Sequence, residues 1–117
     1  MTAVARVLDV ETTLERLAGD QELFGEIAQI LIMTAPAQIE SIAAALAARD
    51  LKSAYQEAHS LKGAVAAFEA PDVFTQVAAV EKFARAEDGP AAVEAFAAAQ
   101  PLVEVLLTEL APFAPAA

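Results

Sequence analysis

Residues 50–68 read DLKSAYQEAHSLKGAVAAF, and this stretch decides the fold. Asp50 is an N-cap residue type, and no helix breaker follows until Gly63. At about 100° per residue, Leu51, Ala54, Ala58, Leu61, Val65 and Phe68 gather on one side, so the stretch predicts an amphipathic helix to about Phe68. His59, the only histidine, lies roughly 130° from the centre of that stripe and is expected to face outward. Lys52, Gln56, Gly63 and Ala66 share its face, and Lys62 sits one turn on at its edge.

Working outward, the punctuation is that of helices throughout, with no alternation of β-branched residues that would mark a strand. Val10–Ala18 reads as a short helix ended by Gly19, and Asp20 caps the next. From Gln21, apolar residues at Leu23, Ile27, Ile30, Leu31, Ile39, Ile42, Ala43 and Leu46 form one expected buried stripe. Pro36 removes a backbone donor, which predicts a kink or break near Ala35. Pro71 and Asp72 suit the first turn of a helix carrying Val73, Val77, Val80 and Ala84 inward and ending before Asp88-Gly89. Pro90 opens a last helix to about Leu110, with a kink expected at Pro101. The phenylalanines at 24, 68, 74, 83, 96 and 113 are expected mostly in the core, and Tyr55 at its rim. Short connections between long helices imply antiparallel neighbours. The predicted fold is all-α: an up-and-down four-helix bundle with a short extra N-terminal helix, one domain over residues 1–117, frayed at 1–8 and 111–117.

Composition removes several functions. The chain has 117 residues, room for one core, and much of its 57% hydrophobic content is alanine, which favours helix. No apolar run of about 18 residues is evident, and the start lacks a basic region followed by an apolar stretch, so neither a membrane span nor a leader is expected. With 17 acidic and 7 basic residues the net charge is −10, unsuited to nucleic acid or an anionic membrane. No cysteine is present, so there is no disulfide or thiolate chemistry, in keeping with the cytoplasm. One histidine without cysteine disfavours zinc, no calcium-loop spacing occurs, and no glycine-rich nucleotide loop is found, so no cofactor or metal is expected. Ser60 points about 100° from His59, which excludes a serine–histidine pair.

The face of His59 is unusual. Gly63, four residues on, costs a mid-helix position about 1 kcal/mol relative to alanine and clears space beside the imidazole. Ala64, Ala66 and Ala67 keep the surface low, while Lys62 offers positive charge to an incoming phosphoryl group. If the following turn centres near residues 70–71, residue 59 lies level with 81 or 82 on the next helix. Glu81 is therefore expected to orient one ring nitrogen and leave the other nucleophilic. Arg85, level with Gln56, would add positive charge at the rim.

HSLKG (59–63) resembles the His-x-x-Lys-Gly signature of histidine-containing phosphotransfer (HPt) domains. The resemblance extends to LERLAGD (14–20), the Thr34-Ala-Pro36 break and Arg49-Asp50-Leu51, and Glu81 falls where such domains often carry an acid or amide. Ala64 and Val65 replace the small polar residues often found after the glycine, and Glu69 replaces a glycine common near the helix end. The resemblance implies a phosphorelay intermediate: His59 would accept a phosphoryl group from a receiver-domain aspartate or a kinase and pass it to another receiver-domain aspartate. Its partners would be receiver domains of response regulators or hybrid histidine kinases, docking over Gln56, Ala66 and Arg85, and the protein would carry phosphohistidine without kinase activity of its own. With no sustained heptad seam, a monomer is expected. Two other readings stand beside it. A chemotaxis-type kinase module shares the signature, but would be expected to continue beyond one bundle. A helical scaffold would carry the histidine incidentally.

Overall fold

The computed structural model describes residues 6–115. Five helices follow in order: α1 (Val10–Arg16), α2 (Gln21–Ala47), α3 (Leu51–Val65), α4 (Pro71–Arg85) and α5 (Gly89–Leu110), then a 3-10 turn at Ala111–Phe113. Among the described residues there is no strand. Helices α2 to α5 form a closed ring of neighbours, α2 on α3, α3 on α4, α4 on α5 and α5 on α2. This is the expected four-helix bundle with a short leading helix.

Aspartates set the helix starts. Asp9, Asp20, Asp50 and Asp88 each accept a hydrogen bond from the backbone N–H three residues on, satisfying a donor the helix cannot use. Helix α4 begins instead with Pro71, which needs no such partner. The turns into α2, α3 and α5 repeat one device: a left-handed residue (Gly19, Arg49 or Glu87) stands immediately before the capping aspartate. In each, a backbone N–H closes on a carbonyl five residues back, as in Asp50 to Ala45 at 2.8 Å and Asp88 to Phe83 at 2.9 Å.

Helix α2 runs through Pro36 without a break, and α5 through Pro101. Both prolines face solvent, where water can satisfy the carbonyl a proline leaves unbonded. Helix α3 ends at Val65, earlier than Phe68. The reason is a knot of bonds from α1: Asp9 N–H donates to the Glu69 carbonyl, Glu69 N–H to Thr13 Oγ1, and Arg16 to both the Ala66 carbonyl and the Glu69 carboxylate.

The core differs in part from the expected stripe. Phe24, Ala28, Leu31, Ala35, Ile39, Ile42 and Leu46 are buried on α2, whereas Leu23, Ala43 and Ile30 are exposed, Ile30 by 60%. Alanines 28 and 35 lie inside at 0% exposure, and small residues there let neighbouring helices approach. Of the phenylalanines, 24 and 68 are buried, 83 and 96 half-buried, and 74 and 113 exposed. Phe113 nonetheless packs its ring 4.9 Å from that of Phe24.

Expected fraying does not extend to Val7 and Leu8. Both are buried, and both backbone N–H groups donate to the Glu109 carboxylate at 3.1 and 3.0 Å. The 3-10 turn at 111–113 is likewise held against α2, while residues 1–5 and 116–117 lie outside the described residues. Helices α2 and α5, the latter with its 3-10 extension, are long and apolar enough to cross a membrane, contrary to the reading that no apolar stretch reaches that length. Alanine raises their apolarity, and each also supplies one buried stripe to the bundle.

Candidate functional site

The site lies where α3 and α4 pack antiparallel. The capped start at Asp50 fixes the phase of α3, and the buried Ala54, Ala58, Leu61 and Val65 turn His59 outward, its side chain 63% exposed. On α4, Val73, Val77, Val80 and Ala84 are buried as expected. Glu81 sits at the edge of that stripe and is itself buried.

The level argument across the turn holds. His59 Nδ1 lies 2.7 Å from Glu81 Oε2. Lys62 Nζ lies 2.6 Å from the other oxygen, Oε1, so one carboxylate serves two partners on α3. Burial pushes the Glu81 carboxyl up, but the hydrogen bonds from Lys62 and His59 and their charges outweigh burial and hold it below the ordinary glutamate value. An ionised carboxylate can only accept, so Nδ1 carries the proton and donates. In the neutral ring Nε2 then keeps its lone pair, and no protein atom among the described residues bonds to it.

Lys62 is thus not the free charge its sequence position suggested. It is half-buried and committed to Glu81. Gly63 is exposed, and a Cβ added there would meet nothing within 4 Å, so the glycine leaves open surface beside the ring. Gln56 is exposed and Ala66 half-buried on the same side. Arg85 lies over Tyr55, the residue before Gln56: its Cζ is 5.0 Å from the ring centroid, and Nη2 donates to the phenol oxygen at 3.1 Å. The Tyr55 ring in turn lies 6.3 Å from that of His59.

Sequence reasoning placed Tyr55 as packing only and missed this pairing. A signal was available, because Tyr55 precedes His59 by four residues and Arg85 follows Glu81 by four, so antiparallel helices bring them level as well. Among the described residues no group of three or more His, Cys, Asp or Glu side chains is placed to hold a metal ion.

Fold and site define a small helical bundle that presents a carboxylate-oriented imidazole to solvent. The Hpt domain family model matches residues 26–111, most of the chain including both site helices, and the chain belongs to that family. No curated protein and no solved structure gives a match. Hpt domains carry out histidine phosphotransfer in phosphorelays through interaction with receiver domains, which is the general activity of this chain.

Proposed function

We propose that this protein is a phosphorelay intermediate of two-component signalling, taking a phosphoryl group onto His59 from a receiver-domain aspartate or a kinase and passing it to another receiver-domain aspartate. The observation that carries this reading is the 2.7 Å contact of His59 Nδ1 with Glu81, which leaves Nε2 as the nucleophile.

In the step from an aspartyl phosphate, the Nε2 lone pair attacks phosphorus. The N–P bond forms as the P–O bond to the donor carboxylate breaks, and that carboxylate leaves with the bonding electrons. The proton stays on Nδ1, so the positive charge gained by the ring faces Glu81. Onward transfer runs the same bonds in reverse. The chain contributes mainly position, which a capped and packed helix supplies, and the partner's own site brings metal and electrophilic assistance.

Lys62 keeps Glu81 ionised and in place. Gly63 and Ala66 provide a low surface for the incoming domain, with Gln56 and Arg85 at its border. The protein works as a cytoplasmic monomer, binds no nucleic acid, and meets receiver domains of response regulators or hybrid kinases.

Mixing the protein with a phosphorylated receiver domain and following acid-labile label tests the reading. Native protein gains label and His59→Gln gains none; equal labelling of the two would leave only a helical scaffold.

A further inference from the structure

The seam between α3 and α4 continues beyond the histidine. Ala66 stands seven residues after His59 and Phe74 seven before Glu81, so the antiparallel pair brings 66 and 74 level, about 10 Å along the axis from the imidazole. There the surface opens into a cleft of about 320 Å³, lined on its apolar side by Ala66, Phe68, Ala70, Pro71 and Phe74. Phe74 is 38% exposed. The other exposed phenylalanine, Phe113, packs its ring on Phe24, whereas Phe74 has no aromatic partner among the described residues. Arg16 and Glu69 form the rim and are paired with each other at 3.2 Å, while the second Arg16 nitrogen donates to the Ala66 carbonyl at 3.0 Å. The cleft thus offers no free charge, and an ionic group placed in it would lose water without gaining a partner. Its volume stands at the lower end of the range for small-molecule sites, about 300–1,000 Å³, and it is open to solvent, which suits a side chain on a docked surface.

Resting on the phosphorelay reading, we propose that this cleft receives an apolar side chain of the receiver domain seated over His59, and that Phe74 is the wall against which it packs. Transfer requires the partner to sit over the imidazole. A standard interface takes about 800 Å² from each partner, a disc reaching roughly 16 Å from its centre. A receiver centred on His59 therefore covers the cleft. The bonds from Asp9, Thr13 and Arg16 fix the end of α3 and the turn that line it, so filling the cleft needs no rearrangement of its walls. The partner so defined carries an exposed apolar residue about 10 Å from its phosphorylated aspartate, matching the offset along α3.

The experiment takes a receiver domain, phosphorylated with acetyl phosphate, that labels the native protein, and compares native, Phe74→Ser, Phe74→Leu, Thr75→Trp and Val93→Ser. Thr75 is an exposed residue of the cleft, from which a tryptophan would occupy the space. Val93 is 50% exposed on α5, diagonally across the bundle from α3, and serves as control. Single-turnover rates across receiver concentration give the half-saturating concentration and the limiting rate separately. Phe74→Ser and Thr75→Trp should raise the half-saturating concentration about three- to tenfold and leave the limiting rate within about twofold, the mark of lost binding with chemistry intact. Phe74→Leu, which keeps an apolar wall, should stay within about twofold of native, and Val93→Ser should match it. Labelling by the small donor phosphoramidate, which needs no docking, should be equal in all of them, as should helix content by circular dichroism. Native half-saturation in both Phe74→Ser and Thr75→Trp overturns the proposal while leaving the phosphorelay reading standing. So does a loss that appears equally with phosphoramidate, because the cleft would then act on His59 itself rather than on docking. A dimer of the native protein that Phe74→Ser abolishes, with half-saturation by the receiver unchanged, gives the cleft to a second copy and overturns the proposal as well. Failure of every receiver to label a native protein that phosphoramidate does label removes both the proposal and the phosphorelay reading.

Discussion

Lys62 ends 2.6 Å from Glu81 Oε1, on the oxygen that His59 does not use. The lysine of the signature therefore addresses the carboxylate that orients the imidazole, and both α3 partners converge on one buried group of α4. Glu81 is the residue on which the site turns.

Replacing Glu81 by glutamine keeps an oxygen that can accept from Nδ1 but removes the charge facing the ring. Phosphoryl uptake by Glu81→Gln is expected to slow about tenfold, and Glu81→Ala should be slower still because the ring also loses its orienting acceptor. Single-turnover transfer from a phosphorylated receiver measures both. Unchanged rates in both variants would mean that the 2.7 Å contact has no part in transfer.

The lowered Glu81 value fixes the sign of an acid dependence. A carboxylate whose folded value lies below its unfolded value, about 4.3, adds stability that is complete above the unfolded value. That contribution fades as pH falls towards the folded one. Urea unfolding should thus give a Glu81 contribution that is constant from about pH 6 to 8 and shrinks below about pH 4.5. The difference between native and Glu81→Gln isolates it from Asp9 and Asp50, which also stay below their ordinary value through bonds to Thr12 and Ser53. In Lys62→Met the contribution should be smaller, because a cation that favours the ionised form is gone and the folded value moves back towards the unfolded one.

Gly63 separates stability from docking. A Cβ there meets nothing within 4 Å, so Gly63→Ala should raise unfolding stability by about 0.5–1 kcal/mol through backbone entropy alone. Gly63→Gln should retain native helix content by circular dichroism yet transfer more slowly, since its longer side chain occupies the surface beside the imidazole. Native transfer rates in Gly63→Gln would place the partner elsewhere.

Gly25 behaves in the opposite way. A Cβ there would fall 2.6 Å from the Phe113 carbonyl oxygen, a backbone atom that yields only if the C-terminal turn moves. Gly25→Ala should lower stability by about 1–2 kcal/mol despite the better helix former. Amide exchange at residues 111–114 should quicken, while α3 keeps its protection. Retained protection at the C-terminal turn would show that the close approach is easily relieved.

Much of the bundle could be read from punctuation. Three aspartates preceded by left-handed residues and one proline at a helix start mark the four long helices, because capping is local chemistry. The pairing of His59 with Glu81 was legible for a related reason: a short turn and a uniform rise make level positions calculable. The burial of Glu81 and the partner of Lys62 were not, since they depend on how far α4 rolls against α3. Ile30 was misplaced because apolar periodicity favours bulky residues, while close packing of α2 selects Ala28 and Ala35. Of the kink or break read at Pro36, the break does not occur, because a proline's effect depends on whether water reaches the carbonyl it leaves unbonded.

The bonds from α1 to the end of α3 bear on what a docking partner encounters. Thr13, Arg16 and the Asp9 backbone occupy groups that a helix end ordinarily leaves to solvent and to fraying. The surface running from His59 past Gly63 to Ala66 is therefore anchored at its far end before any encounter. On the proposed docking face, a receiver domain would meet a preorganised footing, and little conformational entropy would be lost on the acceptor side of the complex. Short-lived encounters between such domains can then be productive without being tight.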